Sequence, residues 1–132
     1  MTTVALAHAK VAAQQRHGAE ARLVREDYAA GRLSVAVPSL LFLELLSAAA
    51  RRWSWDGAAV RQLAADLTGL AFGVSEPAID AVAEWTARGL TAYDAAYVAL
   101  ADGLGVRLVT DDELVLSVAA RIALPLASYR SA

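Results

Sequence analysis

The sequence has 132 residues, of which 58% are hydrophobic and 20% are charged, and its net charge is −2. The hydrophobic content excludes a disordered chain, and the length fits a single domain over residues 1–132 with a core of its own. The absence of cysteine excludes disulfides and thiolate metal sites, and the slightly negative charge excludes a global basic field for nucleic acid.

Apolar periodicity and capping residues predict helices that alternate with short strands. Helices are predicted, in chain order, at residues 17–31, 39–52, 56–70, 75–89, 90–105 and 111–121. Strands are predicted at residues 33–37, 70–74, 106–110 and, more weakly, 124–129. Asp56, Ser75 and Thr91 stand at predicted N-cap positions, and Gly103 or Gly105 can end the fifth helix.

The predicted strands are mainly apolar and do not show a regular alternation of apolar and polar residues, which indicates a parallel sheet that is covered on both faces. We therefore predict an α/β fold with three layers, α/β/α, around a central parallel sheet. In such sheets the functional site lies beyond the carboxyl ends of the strands. Candidate residues are therefore sought where strands end.

Glu44 is the one ionisable residue in the segment "SLLFLELLSAAA", which otherwise predicts a buried helix. A buried carboxylate without a partner would cost several kcal/mol or take up a proton, as a rough estimate. A partner must therefore come from elsewhere in the fold. It could be a shared metal ion, or it could be an arginine from another element.

Further acids follow or precede the other predicted strands. Asp94 lies in the first turn of the fifth helix, and Asp111 and Asp112 come directly after the strand "VRLVT". If these side chains gather with Glu44 at one edge of the sheet, a divalent cation would relieve their mutual repulsion. Oxygen ligands without cysteine favour Mg²⁺ or Mn²⁺, which can activate water and neutralise charge on a phosphodiester.

Each of these acids also has a purely structural explanation. "Thr91-x-x-Asp94" has the form of a capping box, and an acidic residue near a helix N-terminus is favoured by the helix dipole. Asp111 or Asp112 could cap the helix that follows. The sequence leaves both explanations open.

Two segments of the sequence resemble the PIN domain family and, within it, the VapC toxins of type II toxin–antitoxin modules. "PSLLFLELLSAAARR" is similar to the family's strand-then-helix segment with its Glu. "LTAYDAAYVALADGLGVRLVTDDELV" is similar to its Asp-bearing helix, followed by a strand and Thr-x-Asp. The resemblance covers roughly residues 16–125.

The resemblance implies a Mg²⁺- or Mn²⁺-dependent endoribonuclease that hydrolyses RNA phosphodiester bonds. It also implies a homodimer and a VapB-like antitoxin that silences the toxin. Glu44, Asp94 and Asp112 would be the catalytic and metal-binding acids, with Asp111 beside them. Thr110 would support the site through its hydroxyl. Together with the absence of an apolar run long enough to cross a bilayer, this predicts a cytoplasmic protein without membrane contact.

The sequence departs from the family pattern in two places. Ser47 stands where an Asn usually follows the Glu, so that supporting contact is in question. No acidic residue precedes Glu20, although the family carries its first Asp at the end of a central first strand. The first strand is therefore predicted as degenerate or missing.

Two placements of the N-terminus remain open. In the first, Met1 occupies the Asp position and the strand itself is absent. In the second, "TTVALA" is the strand and Ala7 or His8 follows it. The similarity of "MTTVALAHAK" to the family's Asp-Thr-x-Val segment favours the first. Loss of a middle strand would leave backbone groups of its neighbours unpaired, at about 1–3 kcal/mol each, and this cost favours the second if the chain folds alone.

The missing acid makes a second function possible, namely a catalytically impaired PIN-like protein that acts by binding an antitoxin or RNA. A signalling receiver domain also groups acids at a parallel sheet, but it needs an early acidic pair and a late lysine. The sequence has neither, since Lys10 is its only lysine.

Overall fold

The computed structural model describes residues 2–6, 18–70 and 72–130, and the protein has a mixed α/β fold. The strands in these ranges are β1 (Thr2–Leu6), β2 (Leu33–Val37), β3 (Gly73–Val74), β4 (Arg107–Val109) and β5 (Ala123–Leu124). The helices are α1 (Gly18–Ala29), α2 (Leu40–Arg51), α3 (Gly57–Thr68), α4 (Ile79–Ala87), α5 (Ala92–Leu104) and α6 (Glu113–Val118).

The described strands form one parallel sheet in the order β3-β2-β1-β4-β5. Strand β1 lies in the middle, where Thr2 pairs with Leu33 of β2 and Leu6 pairs with Val109 of β4. The prediction of a degenerate or missing first strand is therefore wrong, and the second placement of the N-terminus is correct. Backbone pairing explains the outcome, since without β1 the facing groups of β2 and β4 would have no ladder. Met1, Ala7 and His8 lie outside the described residues.

The core forms where the sheet meets α5. Strands β2 and β4 contribute Val37 and Leu108, which are fully buried, and α5 contributes a buried face that includes Tyr97 and Val98. Such continuous burial along a strand is typical of a parallel sheet with helices packed against it. The apolar runs in the sequence predicted these strands for this reason.

Side-chain caps fix the beginnings of α3 and α5. Asp56 accepts a hydrogen bond from the Ala59 amide at the start of α3, and Thr91 accepts one from the Asp94 amide at the start of α5. Both N-caps confirm the sequence prediction. Gly105 ends α5 with a positive φ of 66°, a conformation that glycine adopts without the penalty of a Cβ.

Two predicted boundaries are wrong. Ser75 does not cap α4, because its amide donates to Val37 O at 3.0 Å and extends the sheet, and the helix begins only after Ala78. The predicted strand at 124–129 ends at Leu124 and continues as a 3₁₀ helix, Leu126–Ser128. There the Leu126 amide donates to the carboxylate of Asp111 at 3.1 Å.

A buried polar contact ties the C-terminal segment to α1. Asp27 is fully buried and accepts a hydrogen bond from the Tyr129 hydroxyl at 2.6 Å. Its other carboxylate oxygen lies 2.9 Å from Arg32 Nη2, in the turn after α1. The contact joins residues that are 102 positions apart in the chain, so no local pattern in the sequence could predict it.

Alkaline solution is expected to weaken this contact. Burial, together with the hydrogen bond to Asp27 and the negative charge of Asp27, raises the pKa of Tyr129 to about 12. Because the folded-state pKa exceeds the unfolded value of about 10, the phenol's contribution to stability is complete below about pH 10 and is lost as the pH approaches 12. Urea unfolding measured across this range should show a smaller loss for Tyr129→Phe than for the wild type. Equal losses in both proteins would contradict the assignment.

The longest described helix, α5, has 13 residues, whereas about 20 apolar residues are needed to cross a bilayer. Within residues 2–6, 18–70 and 72–130, no helix could span a membrane.

Candidate active site

The candidate site lies where α2 leaves the carboxyl end of β2. Pro38 is buried directly after the strand, and the chain turns at Ser39 into α2. The Ser39 amide donates to Glu76 Oε1 at 2.9 Å, which satisfies one of the free amides at this helix end. With Leu41 and Ala49 buried on one side of α2, Glu44 is left half-buried.

Glu44 meets a tyrosine. Its Oε1 atom accepts a hydrogen bond from the Tyr97 hydroxyl at 2.6 Å, and Tyr97 is fully buried in α5. This distance is in the range of a strong bond between a hydroxyl and an ionised carboxylate. Tyr97 is therefore the hydrogen-bond partner that a buried Glu44 was expected to need.

Asp94 lies on the same side of α5 as Tyr97, one turn earlier in the helix. Its amide is held by the Thr91 cap at 3.1 Å, and the residue is half-buried. Burial raises the pKa of Tyr97 well above its usual range, and the hydrogen bond and charge of Glu44 and the charge of Asp94 raise it further. Glu44 bonds to Tyr97, and Asp94 lies one turn from Tyr97 on the same face of α5, so both predicted site residues lie next to this tyrosine.

The two acids after β4, Asp111 and Asp112, accept hydrogen bonds from backbone amides. Asp112 is the N-cap of α6 and accepts a hydrogen bond from the Val115 amide at 3.0 Å. Asp111 accepts from the Leu126 amide, as described above. The buried Thr110 hydroxyl accepts from the Asp112 amide at 3.1 Å and so fixes the turn that carries both acids. Asp112 therefore caps the helix that follows it, which is the structural alternative that the sequence left open.

The predicted gathering of all four acids is not found. Among the described side chains, no group of three or more His, Asp or Glu residues could together hold a metal ion. The physical reason lies in the turn after β4, where capping and turn contacts direct the carboxylates of Asp111 and Asp112 to backbone amides. Ser47, one turn beyond Glu44 in α2, is exposed.

Sequence reasoning missed Tyr97. Tyr97 lies in the mainly apolar run "AYVALA" of the fifth predicted helix, and a buried tyrosine needs a partner for its hydroxyl as much as a buried glutamate does. The usable signal was its position three residues after Asp94. That spacing places both residues on one helix face.

The donor chemistry of Glu44 and Asp94 fits a hard divalent cation. Mg²⁺ is commonly held in proteins by one or two carboxylates, and water or substrate phosphates complete its coordination. Glu44, bonded to Tyr97, and Asp94, one turn away on α5, supply two such carboxylates. Asp112 can add at most the part of its carboxylate that the α6 cap does not use.

Comparison with known proteins bears on the fold. No protein-family model matches the sequence. No curated protein matches it either. Among solved structures, the chain is similar to the crystal structure of PAE2754 from Pyrobaculum aerophilum, with 28% sequence identity and a TM-score of 0.62. The similarity covers 95% of this chain and 91% of that chain, so it extends over nearly the whole of both.

Proposed function

We propose that this chain is a VapC-like toxin with a three-layer PIN-like fold, acting as a metal-dependent endoribonuclease on RNA phosphodiester bonds. The observation that carries the proposal is the 2.6 Å bond from Tyr97 to Glu44, which brings the Glu44 carboxylate to the face of α5 that also carries Asp94. The two acids come from different helices, one that follows β2 and one that precedes β4. Acids from separate elements that converge in this way are typical of a cation site.

In this proposal Glu44 and Asp94 hold Mg²⁺ or Mn²⁺, and Asp112 with Asp111 lies after the carboxyl end of β4. When bound, the ion supplies positive charge that offsets the negative charge developing on a phosphodiester. One carboxylate orients the attacking water and accepts its proton. Thr110 supports this side of the site through the turn that it fixes.

The test is cleavage of RNA by the purified protein with and without a divalent ion. We expect cleavage in Mn²⁺ or Mg²⁺, loss of cleavage in EDTA, and recovery when Mn²⁺ is returned, because the ion supplies the charge that neither carboxylate can provide. Product ends resolved on a denaturing gel separate internal cuts from trimming. Cleavage that persists unchanged in EDTA would contradict a metal-dependent mechanism.

A second candidate function is favoured by the engagement of Asp111 and Asp112 with backbone amides. With fewer carboxylates available, the site would not hold the ion that cleavage requires. The protein would then act by binding an antitoxin or by binding RNA without cutting it. Binding of RNA in Mn²⁺ with no detectable product would support this candidate over the nuclease.

The partners follow from the same proposal. We propose RNA as the substrate, a VapB-like antitoxin as the inhibitor, a homodimer as the assembly and the cytoplasm as the location. These assignments depend on the resemblance of the segments around Glu44 and Asp94 to VapC toxins.

A further inference from the structure

Tyr97 is an unusual residue to find at its position in α5. It is fully buried, and its neighbours Ala95, Val98 and Ala99 are buried as well. A phenylalanine would fill the same space without requiring a hydrogen-bond acceptor. The hydroxyl therefore introduces a polar group into the core, and the fold must provide it with a partner.

That partner is Glu44, on a different helix. The bond from Tyr97 Oη to Glu44 Oε1 is 2.6 Å long and joins residues that are 53 positions apart. A glutamate side chain has several rotatable bonds and is seldom held in one orientation by packing alone. A short bond from a rigid, buried ring fixes the orientation of the carboxylate while using only part of its acceptor capacity.

The orientation of the Glu44 carboxylate matters because Asp94 lies nearby. Tyr97 and Asp94 share one face of α5, so the bond from Tyr97 holds the Glu44 carboxylate beside the face that carries Asp94. Two like charges near one point repel each other unless a cation lies between them. Metal-binding groups are generally held in place by such hydrogen bonds from residues that do not touch the metal.

We propose that Tyr97 is the positioning residue of this site, whose buried hydroxyl holds the Glu44 carboxylate so that it can share one divalent cation with Asp94. This inference rests on the proposed function, since it names the residue that prepares the same site. Tyr97 itself does not contact the cation or the RNA.

The test is the affinity for Mn²⁺, measured from the free-ion signal in electron paramagnetic resonance. Tyr97→Phe keeps the ring and removes only the hydroxyl, and we expect it to weaken Mn²⁺ binding by about 10- to 100-fold. In a Glu44→Gln background the same change should cause no further loss, because the two groups act together. Equal Mn²⁺ affinity for the wild type and Tyr97→Phe would overturn the inference.

Tyr129→Phe is a matched control. It also removes a buried hydroxyl that donates to a carboxylate at 2.6 Å, but the carboxylate is Asp27. A general effect of losing such a bond would change stability in both variants, whereas only Tyr97→Phe should change Mn²⁺ affinity. Equal weakening by Tyr129→Phe would count against a specific role for Tyr97.

A second measurement covers the case in which Tyr97→Phe does not fold. The chain has four tyrosines, and 3-fluorotyrosine labelling gives each a ¹⁹F resonance that phenylalanine variants of the other three can assign. Addition of Mg²⁺ should move the Tyr97 resonance and leave that of Tyr129 in place. No movement at saturating Mg²⁺ would overturn the inference.

These outcomes separate the inference from the proposed function. If the wild type binds Mn²⁺ but cuts no RNA, the nuclease proposal fails, while the affinity of Tyr97→Phe still decides the role of Tyr97. If the wild type cuts RNA and Tyr97→Phe binds Mn²⁺ equally well, only the positioning role fails. If the wild type binds no Mn²⁺, both are overturned.

Discussion

Replacement of Asp94 by Asn is expected to lower the rate of RNA cleavage in Mn²⁺ by at least about 100-fold. The change keeps the size of the side chain and removes its negative charge, so the site loses half of the carboxylate pair that would hold the ion. The Thr91 cap on the backbone amide of residue 94 does not depend on the side chain. Helix α5 should therefore remain folded, and circular dichroism and a gel-based cleavage assay measure the two properties separately.

Asp80→Asn is the matched control for this prediction. Asp80 also lies in the first turn of its helix, α4, so its replacement removes the same favourable interaction with a helix dipole. Its side chain is exposed and accepts a hydrogen bond from the Ala81 amide. We expect cleavage to be unchanged in Asp80→Asn. Activity of Asp94→Asn equal to that of the wild type would remove the catalytic role of Asp94.

Replacement of Asp27 by Ala is expected to lower the free energy of unfolding by about 3 kcal/mol. Most of this cost comes from the buried Tyr129 hydroxyl, which would lose its acceptor. The Arg32 side chain is 51% exposed, so water can replace much of its contact with Asp27. The loss would be a large share of the roughly 5–15 kcal/mol that stabilises a domain of ordinary size.

Asp102→Ala provides the comparison in urea denaturation. Asp102 is exposed in the last turn of α5, and the same chemical change there should alter stability by no more than about 0.5 kcal/mol. RNA cleavage at a temperature where both variants are folded should be unaffected. An Asp27→Ala protein as stable as Asp102→Ala would show that the buried contact contributes little.

The sequence predicted the parts of the fold that depend on local pattern. The run Leu33–Val37 is mainly apolar and is followed by Pro38, and it forms a strand with the predicted bounds. Asp56 and Thr91 cap their helices because their side chains reach amides only three residues away. Such contacts lie within one helical turn and leave a direct trace in the sequence.

The remaining features depend on partners that are distant in the chain. Strand β1 was predicted as degenerate or missing because its stability comes from ladders with distant strands. Thr2 pairs with Leu33 of β2, 31 positions later (33 − 2), and Val4 pairs with Arg107 of β4, 103 positions later (107 − 4). Ser75 has the side chain of an N-cap residue, but its amide donates to Val37 O at the edge of the sheet. Tertiary pairing overrode local preference in both cases.

The candidate site was predicted in part, and for the same reason. Glu44 and Asp94 were identified because a lone acid in an apolar helix and an acid at a helix start both stand out by position. The contact that joins them could not be predicted, since Tyr97 lies 53 residues from Glu44. Asp111 and Asp112 were placed at the correct strand end, but the amides that they bind became visible only with the turn after β4.

The central claim is that Glu44 and Asp94 share one divalent ion, and anomalous diffraction from crystals grown with Mn²⁺ tests it most directly. A Mn²⁺ peak about 2 Å from an oxygen atom of each carboxylate, with the Tyr97 hydroxyl still bonded to Glu44, is the predicted result. A map from saturated crystals with no peak between the two carboxylates would contradict the claim.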